Sequence, residues 1–246
     1  MSQKGDKNAA LKILADIDLP IARSAAYIIV ANHDGQSNSI NWLNNAGILP
    51  SSLDPDGKRF HLAQMLELAQ WNSALKYIDE LTDQDLEESP ILYHFVGITY
   101  LLSAIPEELR KYVFIQMPLE VGTFPLDSSA HALIARRKAM HYFDVASRVA
   151  TQLKCFNAAI IDNEYALWLE LADPEEHASG KQKLEEILRG PKRVLRYVNL
   201  AIQFGVKLSV DLVEREIEQQ IALHGGYTVD TAIARFALVY TEKTPE

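Results

Sequence analysis

Apolar residues recur along this chain at intervals of three and four, in blocks separated by short polar turns. No stretch alternates apolar and polar positions between hairpin turns, so the pattern predicts helices and no sheet. The first half offers Ala9–Ile17, Ile21 to about Asn32, Asn38–Ala46, Arg59–Ala69, Asn72–Leu81, Pro90–Ser103 and Pro106 to about Ile115. The second half offers Ala130–Leu153, Asn157–Leu171, a helix opening at Asp173-Pro174-Glu175-Glu176, then Lys192–Phe204, Leu212–Leu223 and Val229–Tyr240. Gly47, Gly190-Pro191, Gly205 and Gly225-Gly226 are the expected stops, because glycine tolerates the backbone that ends a helix. Asn72 or Ser73, and later Ser209, are the expected N-caps. Met117–Ser129 breaks the pattern with Pro118, Gly122 and Pro125. The acidic run Asp79–Glu88 reads as a solvated connector.

Two of these blocks repeat one another. Ser39-Ile40-Asn41-Trp42-Leu43-Asn44-Asn45-Ala46 has the same order of small, aliphatic, polar and aromatic residues as Ala74-Leu75-Lys76-Tyr77-Ile78-Asp79-Glu80-Leu81. Each follows a further helix-like segment, Ile21–Val30 and Phe60–Leu68. A helix-turn-helix unit returning after about 35 residues is the mark of stacked pairs, since one pair cannot bury its apolar face alone. The expected architecture is all-α: antiparallel helix pairs stacked as a right-handed α-solenoid of roughly six pairs. Its expected organisation is a disordered segment 1–7, helical repeats 8–117, an irregular linker or loop 118–129, and helical repeats 130–246 continuous with the first half.

The unit Phe60–Leu81 resembles a tetratricopeptide repeat. Ala74 stands where such repeats place the small residue of the second helix, Ile78 follows one turn on, and Leu81 takes the next apolar slot. The first helix lacks the aromatic and the glycine that usually mark the repeat, and Pro90 falls several residues late. The likeness covers Ile21–Leu81, with an echo at Ala166-Leu167-Trp168-Leu169. The chain is also similar in texture to the helical repeats that follow the nucleotide-binding domain of large bacterial signalling ATPases. That resemblance implies a sensor or interaction arm of something longer, as does the want of polar end caps.

Composition narrows the partners. The 246 residues are 48% hydrophobic and 23% charged, and can bury roughly 75% of their unfolded surface. The formal net charge of −9 disfavours nucleic acid and anionic membranes, which are bound through a basic excess. No segment is apolar enough to span a membrane, and the polar opening Met1–Lys7 has no signal-peptide core, so the expected location is the cytoplasm. Cys155, the one cysteine, lies between Leu153 and Phe156 and is expected to be a small buried hydrophobe.

No catalytic, cofactor or metal motif stands out. The glycine-rich cradles that hold phosphates are missing, as is the serine-nucleophile elbow. No two of the seven histidines are four apart, so the helical zinc pair is missing as well. His141 and Asp144 are three apart but read as an ordinary pair, and His94 as a hydrogen-bonded core residue. Two basic clusters interrupt the acidic background: Arg136-Arg137-Lys138, and Lys181, Lys183, Arg189, Lys192, Arg193 and Arg196. Lys192, Arg193 and Arg196 fall around one helical turn that would suit a phosphate or an acidic peptide, although Glu185 and Glu186 can balance them. Trp71 falls in the turn of its helix pair, where an aromatic lines a groove or staples the turn; Trp42 and Trp168 are expected between helices.

The expected function is therefore a non-enzymatic protein-interaction or ligand-sensing module. Trp71, Lys192, Arg193, Arg196, Arg136 and Arg137 are its candidate contacts, and a protein or peptide its partner. Two alternatives remain: a small-molecule binder or enzyme with its site between the halves, and a helical-repeat nucleic-acid binder using the basic cluster near Arg193.

Overall fold

A computed structural model describes residues 53–67, 69–110, 126–190, 195–228, 231–232 and 234–235. Among the described residues the chain is all-α, with no strand. The expected helix Ala9–Ile17, the first copy of the repeat (Ile21–Val30, Ser39–Ala46, with Trp42), the end of the helix expected from Pro106 to about Ile115, residues 117–125 of the irregular break, Lys192 and Arg193, and most of Val229–Tyr240 lie outside the described residues. Two compact units divide the rest: one holds the described residues up to 110 with 126–159, the other those from 160 onward.

In the first unit, α1 (Pro55–Glu67), α2 (Trp71–Ile78), α3 (Asp83–Glu88), α4 (Ile91–Ser103) and α5 (Ala130–Gln152) are built around α4, which touches all four others. The long Ala130–Leu153 helix appears as expected. Its buried stripe, Ala132, Ala135, Ala139, Phe143 and Ala146, runs at helical spacing with one large residue among alanines. Small side chains let α4 approach closely. At the nearest point Gly97 of α4 lies under the fully buried Phe143, and a Cβ there would stand 2.9 Å from the ring.

Two expectations about helix starts need correction. The run Asp79–Glu88 is not only a connector, because Thr82 and Asp85 form a reciprocal capping box that starts α3. Neither Asn72 nor Ser73 caps α2; the helix begins at Trp71 with Gln70 flanking it and no side-chain cap. The cause is the end of α1. Gln70 N–H donates to Met65 O at 2.8 Å and Ala69 N–H to Leu66 O at 3.1 Å, the paired bonds of a Schellman turn, which delivers the chain directly into α2.

The second unit contains most of α6 (Phe156–Ala172) with α7 (His177–Arg189), α8 (Leu195–Gln203) and α9 (Val210–His224). Tyr165 to Leu171 are buried without interruption, so the C-terminal half of α6 is enclosed on every side. Trp168 is within it and is buried. Asp173-Pro174-Glu175-Glu176 forms a turn, not the opening of α7: the Asp173 carboxylate accepts from Glu175 N–H at 3.0 Å, which holds the backbone out of the helix. Gly180 then passes 3.1 Å (measured from an added Cβ) from the Leu171 backbone nitrogen. His177 Nδ1 lies 2.6 Å from Leu171 O; since a carbonyl only accepts, this nitrogen carries the proton and satisfies the end of α6.

Candidate interaction surface

Tyr93 and Tyr100 are two helical turns apart on α4 and project from one side of it. Because Gly97 between them admits Phe143, the residue next to Phe143 is seated between the two tyrosines. That residue is Tyr142. Its ring stacks on Tyr100 at 5.7 Å and 20° and lies tilted against Tyr93 at 6.4 Å and 33°, so the three rings form a ladder. All three tyrosines are half-buried, so each keeps part of its side chain accessible to solvent.

Charge is distributed unevenly along this ladder. At the Tyr100 end, Lys138 of α5 places Nζ 4.8 Å from the ring centroid and donates to the phenol oxygen at 3.4 Å. At the Tyr93 end, burial raises the phenol above its ordinary range, and the Glu87 and Asp83 carboxylates push it the same way. Tyr142 is raised by burial first and then by Tyr100. Asp83 and Glu87 are four apart on α3, exposed, and in no ion pair among the described residues. His141 borders the ladder, edge-on to Tyr142 at 5.5 Å, while Asp144 pairs with Arg148 at 3.2 Å.

What orients α3 is a buried cluster beneath it. Lys58 Nζ donates to Asp85 Oδ1 at 2.7 Å, and Asp85 Oδ2 accepts from the Thr82 N–H and hydroxyl, both at 2.9 Å. Burial would raise the Asp85 carboxyl, but the Lys58 and Thr82 hydrogen bonds outweigh it and hold the group below its ordinary range. One helical turn beyond Lys58, His61 is wholly buried and meets Tyr77 edge-on at 4.9 Å. Neither of its ring nitrogens has a hydrogen-bond partner among the described residues, and burial pushes its pKa down to about 4. The neutral imidazole fills space here and leaves two polar atoms unsatisfied.

The candidate contacts taken from the sequence fall on three helices in two units. Trp71 opens α2, half-buried. Arg136, half-buried, reaches Asp127 O at 3.4 Å from α5, and Arg137 beside it is exposed. Arg196 of α8 is paired with Glu164 of α6. The described members of its cluster are similarly engaged: Lys183 with Glu170 at 2.8 Å and Arg189 with Glu185 at 3.0 Å. Cys155 corrects another expectation. It is exposed at the turn between α5 and α6, because its apolar neighbours Leu153 and Phe156 also face solvent there. His94 stacks edge-on against Phe95 and Phe143 and is half-buried. The tyrosine ladder was not among the candidates, although Tyr93 and Tyr100 at two-turn spacing, flanking Gly97, were there to be read.

Among the described residues no group of acidic, histidine or cysteine side chains is arranged to hold a metal, and no helix is long and apolar enough to cross a membrane. No protein-family model matches the chain, and neither a curated protein nor a solved structure matches it significantly.

Proposed function

We propose that this chain is a non-enzymatic, helical-repeat interaction module of a larger cytoplasmic assembly, and that it meets a protein partner through the accessible part of the tyrosine ladder. The observation that carries this reading is the ladder itself: three adjoining phenols held half-exposed by a glycine–phenylalanine contact beneath them. Rigid tyrosines offer large contact area at little entropic cost, and they are enriched where proteins meet. The repeat reading draws support from α4, which packs on both helices of the preceding pair and on α5, as a stacked helix does. Ala74 and Ile78, the tetratricopeptide-like positions, are buried. A sensor arm of the kind found in bacterial signalling ATPases is one setting for such a face. Nucleic acid is less favoured, since Lys183, Arg189 and Arg196 are committed to carboxylates.

The test uses three baits in native lysate: the full chain, a Tyr93→Ala/Tyr142→Ala variant, and a Tyr197→Phe control, with circular dichroism verifying each fold. A protein recovered in stoichiometric amount by the chain and the control, and lost with the double variant, is the expected result. Equal recovery by all three, or no protein recovered by any, would contradict the reading.

A further inference from the structure

We infer that the segment seated on this ladder is basic, and that an arginine of the partner lies flat against Tyr93 with its guanidinium toward Asp83 and Glu87. The inference rests on the interaction reading above and adds the chemistry of the partner.

Four observations on the first unit point to it. The half-exposed phenol rings are electron-rich on their faces, and one already holds a cation, since Lys138 sits over Tyr100. Tyr93, at the other end, has no such cation of its own among the described residues. Asp83 and Glu87, one turn apart on α3, which packs on α4, are exposed and without an ion pair among the described residues, and both push the Tyr93 phenol up. Around them Asp79, Glu80 and Glu88 are exposed too, and the chain as a whole carries −9. An anionic partner would be repelled at this end, and an uncharged one would leave the carboxylates to be desolvated without compensation. A basic partner meets both needs. Arginine suits the place better than lysine because its planar guanidinium stacks on a ring while its N–H fork engages a carboxylate at the edge.

The ladder also has a direction. Lys138 repels a second cation at the Tyr100 end, so the arginine is directed to Tyr93 and an acidic or uncharged residue of the partner falls near Lys138. Reversing that charge is accordingly informative.

The experiment is fluorescence anisotropy of the full chain with three labelled synthetic peptides, alternating glycine with arginine, lysine or glutamate. The arginine peptide should bind tightest and the glutamate peptide not at all. Asp83→Asn with Glu87→Gln should weaken the arginine peptide about tenfold, as expected for two exposed charge pairs. Tyr93→Leu should weaken it by several fold, and Lys138→Glu should strengthen it. Salt of about 0.5 M should abolish most of the difference between the peptides. Arginine-peptide binding that the four substitutions leave unchanged would overturn the inference, as would equal binding of the glutamate peptide. The two readings also fail separately. If a protein is captured through Tyr93 and Tyr142 but its capture is unaffected by Asp83→Asn with Glu87→Gln, the interaction reading stands and the basic partner is refuted.

Discussion

The two units place tyrosines in opposite circumstances. In the second, Tyr165 and Tyr197 are buried, and the Tyr197 phenol accepts from Asn163 Nδ2 at 2.7 Å, so the hydroxyl ties α6 to α8. Burial raises both phenols, for Tyr197 against the opposing pull of that hydrogen bond. In the first, Tyr93, Tyr100 and Tyr142 lie against one another half-exposed, and Lys138 makes only a long 3.4 Å approach to the Tyr100 phenol oxygen. The difference teaches what residue type alone does not: a tyrosine whose hydroxyl is consumed internally is structural, whereas one whose ring is supported from below and half-exposed is available to a partner.

The strongest way to break this comparison is to remove the support. Phe143→Ala should destabilise the first unit by about 4 kcal/mol, as large aromatic truncations in a packed core do, and thermal unfolding will measure it. Overfilling the same contact is the converse. Gly97→Ala should cost about 1–2 kcal/mol despite alanine's better helix propensity, because the added carbon meets a ring with no room to retreat. It should also disturb the near-ultraviolet signal of the tyrosine stack.

Acid should act on the first unit through a group the ladder depends on indirectly. His61 is neutral when folded and titrates near 4, below the unfolded value of about 6.5, so the unfolded chain binds the additional proton between those values. Stability is therefore full above about pH 6.5 and falls, by about 3 kcal/mol, as pH drops toward 4. Asp85, whose carboxyl is held low, adds a further loss only below its unfolded pKa of about 4. Denaturant midpoints measured from pH 7 to 4 should follow this order. His61→Leu should flatten the first window, while leaving the acid limb below it.

Smaller effects sharpen the contrast between the tyrosines. Tyr197→Phe should cost about 1–1.5 kcal/mol by stranding Asn163, whereas Tyr100→Phe should change stability by less than about 0.5 kcal/mol. Smallest are two gains. Ala69 and Lys154 hold φ of 56° and 61° at helix ends, and Ala69→Gly or Lys154→Gly should each stabilise by about 0.5–1 kcal/mol.

Those two residues also explain where the sequence could be read and where it could not. Gly205 ends α8 with Val206 N–H on Ala201 O at 2.8 Å, and the same bond pattern ends α5 with Cys155 N–H on Ala150 O at 2.8 Å. The first was legible because glycine advertises a left-handed residue. The second was not, because lysine occupies the position, and the turn that results is what exposes Cys155. Helix spans read well wherever the apolar period was long, as in Ala130–Leu153 and Pro90–Ser103. The Thr82–Asp85 capping box was present in the sequence but was obscured by the density of carboxylates around it. The ladder was harder still: Tyr142 lies more than forty residues after Tyr93. Only the packing of α5 on α4, across the irregular segment, brings them together, and no local pattern encodes that pairing.

The most direct test of the ladder as the binding face is fluorine NMR of the chain carrying 3-fluorotyrosine, titrated with the arginine–glycine peptide. Shifts confined to Tyr93, Tyr142 and Tyr100, with Tyr165 and Tyr197 unmoved, are the expected result. Shifts at the buried pair of the second unit, or saturable binding that moves none of the three ladder resonances, would contradict it.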